Sequence, residues 1–100
     1  MSKKTLKVNG VDMPLSFKFS THMELQSLIK ASGKNASEYM TDDDNTPKML
    51  QLALKAGGNE VIIDDIVKAL DELPHIEEVV ELLKPITQYY VNPNQKTQTA

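Results

Sequence analysis

Three consecutive aspartates, Asp42, Asp43 and Asp44, are the densest group of potential metal ligands in the sequence. A calcium loop of the EF-hand type needs alternating oxygen ligands, a glycine at its sixth position and a glutamate at its twelfth. Counted from Asp42, those two positions hold Pro47 and Ala53. The pattern therefore does not match a calcium loop. A solvated acidic loop ahead of a helix is expected instead, with no metal site.

The histidines His22 and His75 are the other side chains capable of acid–base or metal chemistry. Neither has a partner at the spacing of a helical zinc motif such as His-Glu-x-x-His, and no serine or threonine lies in a nucleophile-elbow sequence. The pair Gly57 and Gly58 lacks the lysine and hydroxyl residue of a phosphate-binding loop, so we interpret it as a helix end. The sequence thus predicts no catalytic, cofactor-binding or metal-binding residues, and no enzyme activity is expected.

Composition restricts the remaining function classes. The formal net charge is −3, and all eleven basic residues are lysines scattered along the chain. Nucleic-acid-binding domains usually carry a basic patch in which arginine recognises phosphate or guanine, so no nucleic-acid partner is expected. The absence of cysteine excludes disulfides, thiolate zinc sites and cysteine nucleophiles. No segment resembles a secretory signal or approaches the ~20 apolar residues of a membrane span, so a cytosolic protein without membrane contact is predicted.

The clearest structural signal is a β-hairpin centred on Asn9 and Gly10. This dipeptide favours a two-residue type I′ turn, which pairs Val8 with Val11. Because strand side chains alternate between the two faces, this register gathers seven apolar residues on one face, and the second strand is predicted to span residues 11–19. The seven residues are Leu6, Val8, Val11, Met13, Leu15, Phe17 and Phe19.

Helical signals follow the hairpin. A capping box over residues 21–24 is predicted to begin a helix that ends at Gly33. A short helical turn is expected at 36–40. The next helix is predicted to begin with Thr46 as N-cap and Pro47 at the first helical position, and its apolar stripe consists of Met49, Leu50, Ala53 and Leu54.

Two further helices are predicted in the C-terminal half. One spans about residues 60–73, with a short strand at the β-branched run 61–63 as the alternative. The other follows Pro74, and Pro85 within it predicts a kink or a division into two helices. The apolar stripe of this last helix consists of Ile76, Val79, Val80, Leu83, Ile86 and Tyr90.

These elements predict an α+β fold, with an N-terminal two-stranded antiparallel β-hairpin packed on about four α-helices. Residues 3–91 form a single domain in this interpretation, and the polar residues 92–100 form a disordered tail. The aromatic residues nearest to the end of the hairpin and to the end of the last helix are candidates for partner binding, with core packing as the alternative for each. They are Phe17, Phe19, Tyr89 and Tyr90.

Three segments resemble the small tail assembly chaperones of long-tailed, siphovirus-type bacteriophages. Residues 6–19 are similar to the Asn-Gly strand pair that opens these proteins. Residues 59–70 resemble their penultimate helix, and residues 77–83 resemble their closing acidic helix. The resemblance covers about residues 3–90. The chain departs from the family in its acidic segment around Asp42 and in lacking a glycine- and aromatic-rich middle section.

The resemblance implies a non-enzymatic protein that acts in the host cell cytoplasm and is absent from the mature virion. Such chaperones bind the tape measure protein, keep its long apolar helices soluble and help to recruit tail tube subunits. Both of those proteins are therefore the implied partners, and self-association is also expected. The main alternative is a structural tail or head–tail connector subunit that remains in the virion. A small helical DNA-binding regulator and an enzyme of unrecognised type are further alternatives.

Overall fold

The computed structural model describes residues 5–90, and the tail predicted from residue 92 onwards lies outside the described residues. Two strands come first, Thr5–Val8 (β1) and Val11–Pro14 (β2). Five α-helices follow in this range, Phe19–Ser32 (α1), Ala36–Met40 (α2), Thr46–Ala56 (α3), Ile63–Asp71 (α4) and Ile76–Tyr90 (α5), with a 3-10 turn at Asp43–Asn45. This architecture confirms the predicted α+β fold, in which an antiparallel hairpin packs on helices.

The hairpin has the predicted turn and register. Asn9 and Gly10 have φ values of 53° and 83°, and a type I′ turn requires positive φ at both positions. The paired residues are Val8 and Val11, Lys7 and Asp12, Leu6 and Met13, and Thr5 and Pro14. Leu6 and Val8 are buried, whereas Val11 is exposed. The apolar face of the hairpin therefore reaches the core through β1 and not through the turn end of β2.

The second strand is shorter than predicted. It ends at Pro14, and the backbone N–H of Ser16 donates to the carbonyl oxygen of Ala53 in α3 at 3.0 Å. Gly57, at the end of α3, lies so close to Pro14 that a Cβ atom at residue 57 would overlap the Pro14 carbonyl oxygen. These backbone contacts with α3 replace strand pairing and lead the chain into α1, so the predicted continuation of the strand to Phe19 is wrong.

The first helix begins earlier than predicted. Phe19 is its first residue and Lys18 is its N-cap residue, so the predicted capping box beginning at Thr21 is wrong. The hydroxyl of Thr21 instead accepts a hydrogen bond from the backbone N–H of Lys18 at 3.3 Å, and Thr21 is buried. The helix ends as predicted at Gly33, which has a φ of 77°. The early start transfers Phe19 from the hairpin to the first turn of α1.

One apolar core connects the hairpin with all five described α-helices. Its largest fully buried side chains are Leu6, Val8, Leu25, Met49, Leu50, Leu54, Ile66 and Ile86. α4 packs against both β1 and α3, and the side-chain amide of Asn9 donates to the carboxylate of Asp65 at 3.3 Å, which joins the hairpin turn to α4. Because an isolated two-stranded hairpin is only marginally stable in water, burial of this cluster is what stabilises the hairpin.

The fourth helix begins later than predicted. It starts at Ile63, after a stretch at residues 60–62 that is neither helix nor strand. The predicted start near residue 60 and the alternative strand at 61–63 are therefore both wrong. The carbonyl oxygen of Val61 accepts a hydrogen bond from the side-chain amide of Gln51 at 2.8 Å. This bond holds the stretch against α3 ahead of the helix.

The last helix continues through Pro85 as one element, so the predicted division into two helices is wrong. Its buried residues are Leu82 and Ile86. Ile76 and Val80, two members of the predicted apolar stripe, are exposed, so the stripe is not buried along its whole length. Among residues 5–90, no helix has the length and apolar character needed to cross a membrane.

Gly57→Ala tests the close approach of α3 to the hairpin. We expect a loss of about 1–3 kcal/mol in the free energy of unfolding, as at other overpacked sites, because the new Cβ atom would overlap the Pro14 carbonyl oxygen. Urea unfolding followed by circular dichroism measures this loss. The control is Gly58→Asn, since asparagine adopts positive φ more readily than other non-glycine residues and no atom lies within 4 Å of the Gly58 Cβ position. Equal stability of Gly57→Ala and the natural protein would contradict the proposed constraint.

Candidate partner-binding surface

Three of the four aromatic residues predicted for partner binding lie together beside a histidine. The ring centroids of Phe17 and Tyr89 are 4.8 Å apart in an edge-to-face arrangement. The ring of His22 lies 5.5 Å from that of Phe19 and 5.7 Å from that of Tyr89. These four residues are termed the aromatic surface below. The side chain of Tyr90, the fourth predicted residue, lies outside the described part of the chain.

Local structure explains how the aromatic surface forms. Phe17 lies in the segment that follows β2, and Phe19 opens α1. Because α1 begins at Phe19, His22 lies three residues further on and shares its helix face. Tyr89 comes from the last turn of α5, a helix that packs against α3. The surface therefore joins the N-terminal and C-terminal parts of the described chain.

The aromatic surface is open to solvent on one side. Phe19 is 65% exposed and Tyr89 is 39% exposed, whereas Phe17 is half-buried and packs against the core. Met23 is also exposed and lies four residues after Phe19, so it extends the apolar area along α1. Aromatic and methionine side chains are enriched in protein–protein interfaces. The arrangement is therefore an apolar contact surface with two polar groups, the Tyr89 hydroxyl and the His22 imidazole.

Sequence reasoning missed His22 as a member of this region. It considered His22 only for acid–base and metal chemistry. The spacing of Phe19, His22 and Met23 indicates a shared helix face, but only if the helix is known to begin at Phe19. His75, the other candidate for acid–base chemistry, is exposed immediately before α5.

The predicted solvated acidic loop contains a 3-10 turn, Asp43–Asn45, that Asp42 caps. The Asp42 carboxylate accepts hydrogen bonds from the backbone N–H of Asp44 at 2.9 Å and from the Lys34 ammonium at 3.0 Å. The bond from Asp44, and next the bond from Lys34, lower the pKa of Asp42, and the hydrogen bond to Asp42 raises the pKa of Lys34. Elsewhere, burial raises the pKa of the Tyr39 hydroxyl. Within residues 5–90, no group of three or more histidine, aspartate or glutamate side chains is placed to hold a metal ion.

Two grooves lie elsewhere on the described part of the molecule. The first has a volume of about 480 Å³ and is lined by Gln51, Leu52, Lys55, Glu60, Val61 and Ile62. Lys55 forms an ion pair with Glu24 at 3.0 Å, so its charge is balanced from α1. The second groove has a volume of about 220 Å³ and lies between β1 and α5. Neither groove adjoins the aromatic surface through a shared lining residue.

Acidification tests the role of Asp42 in the turn. The pKa of Asp42 is lower in the native state than in the unfolded chain. The contacts of its carboxylate therefore stabilise the fold at pH values above the ordinary pKa of aspartate. This stabilisation is lost as the pH falls through the native-state pKa. We therefore expect thermal stability to fall below about pH 4, and Asp42→Asn to remove part of that fall. The control is Asp43→Asn, the exposed neighbouring residue. The same acid-induced loss in the natural protein and in both variants would contradict a role for Asp42.

Alanine substitution tests which aromatic residues the fold needs. We expect Phe19→Ala to change the free energy of unfolding by less than about 0.5 kcal/mol, because most of this side chain is already in solvent. Phe17→Ala removes contacts with the core and with Tyr89, and we expect a loss of about 1–3 kcal/mol. Chemical unfolding of both variants gives the two values. If Phe19→Ala lost as much free energy of unfolding as we expect for Phe17→Ala, Phe19 would be needed for stability and would not be a free contact residue.

Comparisons with known proteins give no information about the function of this surface. No protein-family model, no curated protein and no solved structure matches the chain. The resemblance to tail assembly chaperones therefore depends on the three sequence segments described above.

Proposed function

We propose that this protein is a bacteriophage tail assembly chaperone. In this proposal it is non-enzymatic, binds the tape measure protein in the host cytoplasm, promotes assembly of the tail tube and is absent from the finished virion. The observation that carries the proposal is the aromatic surface, in which Phe19 and Tyr89 stay exposed beside Phe17 and His22. The identity of the partner comes from the sequence resemblance.

The aromatic surface has the character needed to bind one side of a partner helix. The apolar residues of an amphipathic helix recur every three or four positions, and they can pack against a row of aromatic side chains. Phe17 is held by the core and by its edge-to-face contact with Tyr89, so part of the surface is ordered before a partner arrives. Preorganised side chains lose less conformational entropy on binding, which favours affinity.

The charge of the chain supports the same role. A net charge of −3 on a protein of this size opposes association between copies of the complex through mutual repulsion. A partner helix covered by such domains would lose exposed apolar surface and gain negative charge. Both changes favour solubility, which is the property that a chaperone of long apolar helices must provide.

Co-expression with the tape measure protein tests the proposal. We expect the two proteins to co-purify and the tape measure protein to stay in the soluble fraction. Combining Phe19→Ser with Tyr89→Ser should weaken binding at least about tenfold, since aromatic residues commonly dominate interface energetics. The matched control is Ile62→Ser, because Ile62 is 62% exposed, close to the 65% of Phe19, and is not part of the aromatic surface. Isothermal titration calorimetry compares the affinities.

Two results would contradict the proposal directly. One is complete separation of the natural protein from the tape measure protein, and the other is an equal loss of binding in the Ile62→Ser control. Mass spectrometry of purified virions tests the alternative of a structural tail or head–tail connector subunit. Presence of the chain in virions in stoichiometric amount would favour that alternative over a chaperone.

A further inference from the structure

The two edges of the hairpin differ in how they are covered. In a hairpin closed by a two-residue turn, hydrogen-bonded pairs alternate with pairs whose backbone groups point outwards. On β1 the outward groups are the N–H and C=O of Thr5 and Lys7, and no described residue forms a hydrogen bond with them. On β2, Gly57 approaches the Pro14 carbonyl oxygen and so covers the outer side at the end of the strand, and proline has no backbone N–H to donate there. Among residues 5–90, the β1 edge therefore offers two consecutive outward-facing residues, whereas α3 blocks the β2 edge at Pro14.

The smaller groove, of about 220 Å³, runs beside this open edge. Residues 5–7 of β1 form one side, and α5 contributes Glu78, Glu81 and Leu82 to the other. Leu73, which precedes α5, also lines it. The leucine side chains provide apolar contacts, and the two glutamates form an acidic wall. The groove therefore combines the outward backbone N–H and C=O groups of β1 with side chains that can select which segment binds.

The acidic wall determines the charge of that occupant. Glu81 forms an ion pair with Lys84 at 3.0 Å, and the Lys7 ammonium lies 4.0 Å from the Asp12 carboxylate. Glu78 is half-buried, and its carboxylate forms no ion pair with any described residue. A partly desolvated carboxylate is stabilised by a cation with hydrogen-bond donors, so lysine or arginine is the complementary side chain.

The length of the edge distinguishes between possible occupants. β1 has four residues, so pairing two copies of this chain through it would bury far less than the ~1,200 Å² of a stable protein interface. A single extended segment needs only backbone hydrogen bonds and a few side-chain contacts. We propose that the β1 edge and the acidic wall bind an extended segment of another protein as a third strand, with apolar residues alternating with lysine or arginine. This binding site is separate from the aromatic surface and goes beyond the proposed chaperone function.

Titration of the ¹⁵N-labelled full chain with a synthetic peptide tests the proposal. The probe is an acetylated and amidated hexapeptide in which valine and lysine alternate. We expect the amide resonances of Thr5 and Lys7 to shift and their exchange with solvent to slow. The same peptide with a methyl group on every backbone nitrogen cannot donate hydrogen bonds to the edge, so we expect its binding to be lost. A valine–glutamate peptide should also fail to bind.

A pair of variants tests the acidic wall. Glu78→Gln should weaken binding of the valine–lysine peptide by about fivefold, the effect of losing one favourable charge pair of about 1 kcal/mol. The matched control is Glu77→Gln, which makes the same change of charge on an exposed residue of α5 that does not line the groove. The control should change the affinity by less than about twofold. Circular dichroism confirms that both variants are folded.

Several results would overturn the proposal. These are no peptide binding up to about millimolar concentration, resonance shifts at the aromatic surface in place of β1, or equal binding of the valine–glutamate peptide. Sedimentation that detects a dimer with protected Thr5 and Lys7 amides would also overturn it, because a second copy would then occupy the edge. Failure to bind the tape measure protein concerns the aromatic surface and leaves this proposal unaffected.

Discussion

The close approach of α3 to the hairpin is the constraint on which the rest of the structure depends. Gly57 leaves room for the Pro14 carbonyl, and the Ser16 amide bonds to α3, so the chain leaves β2 after four residues. This early exit lets α1 begin at Phe19 and sets Phe17 against α5. A longer second strand would keep both phenylalanines on the hairpin. The aromatic surface is thus a consequence of backbone packing at a distant glycine.

The last helix contributes to both candidate surfaces. Glu78 and Glu81 border the groove beside β1, whereas Tyr89 belongs to the aromatic surface. Glu78 and Tyr89 are separated by about 16 Å along a straight helix, at 1.5 Å per residue. Pro85 lies between them and has no backbone N–H to donate, so the helix has one fewer internal hydrogen bond there. Each surface uses its own end of α5, which is why their partners can be tested independently.

Sequence signals succeeded where neighbouring residues determine the conformation and failed where distant contacts do. The turn at residues 9–10 and the register of the hairpin were predictable because two adjacent residues fix them. The end of β2 was not, because Gly57 determines it from the other side of the core. In α5, apolar residues recur at helical spacing on more than one face, so the sequence does not say which face is buried. Packing against the rest of the protein buries Leu82 and leaves Val80 exposed. The sequence placed Phe17 and Phe19 on the second strand, and neither the exposure of Phe19 nor its contact with His22 was predictable, since both depend on where α1 begins.

The fixed register of the hairpin also limits how this gene can diverge. Inserting or deleting one codon within either strand would move the following side chains of that strand to the opposite face. Leu6 and Val8 would then leave the core, so such changes are selected against while substitutions that keep the alternation survive. Residues 33–35, which connect α1 with α2, are all exposed, so added codons should disturb the core less there. Length variation among descendants of this gene should accumulate between α1 and α3.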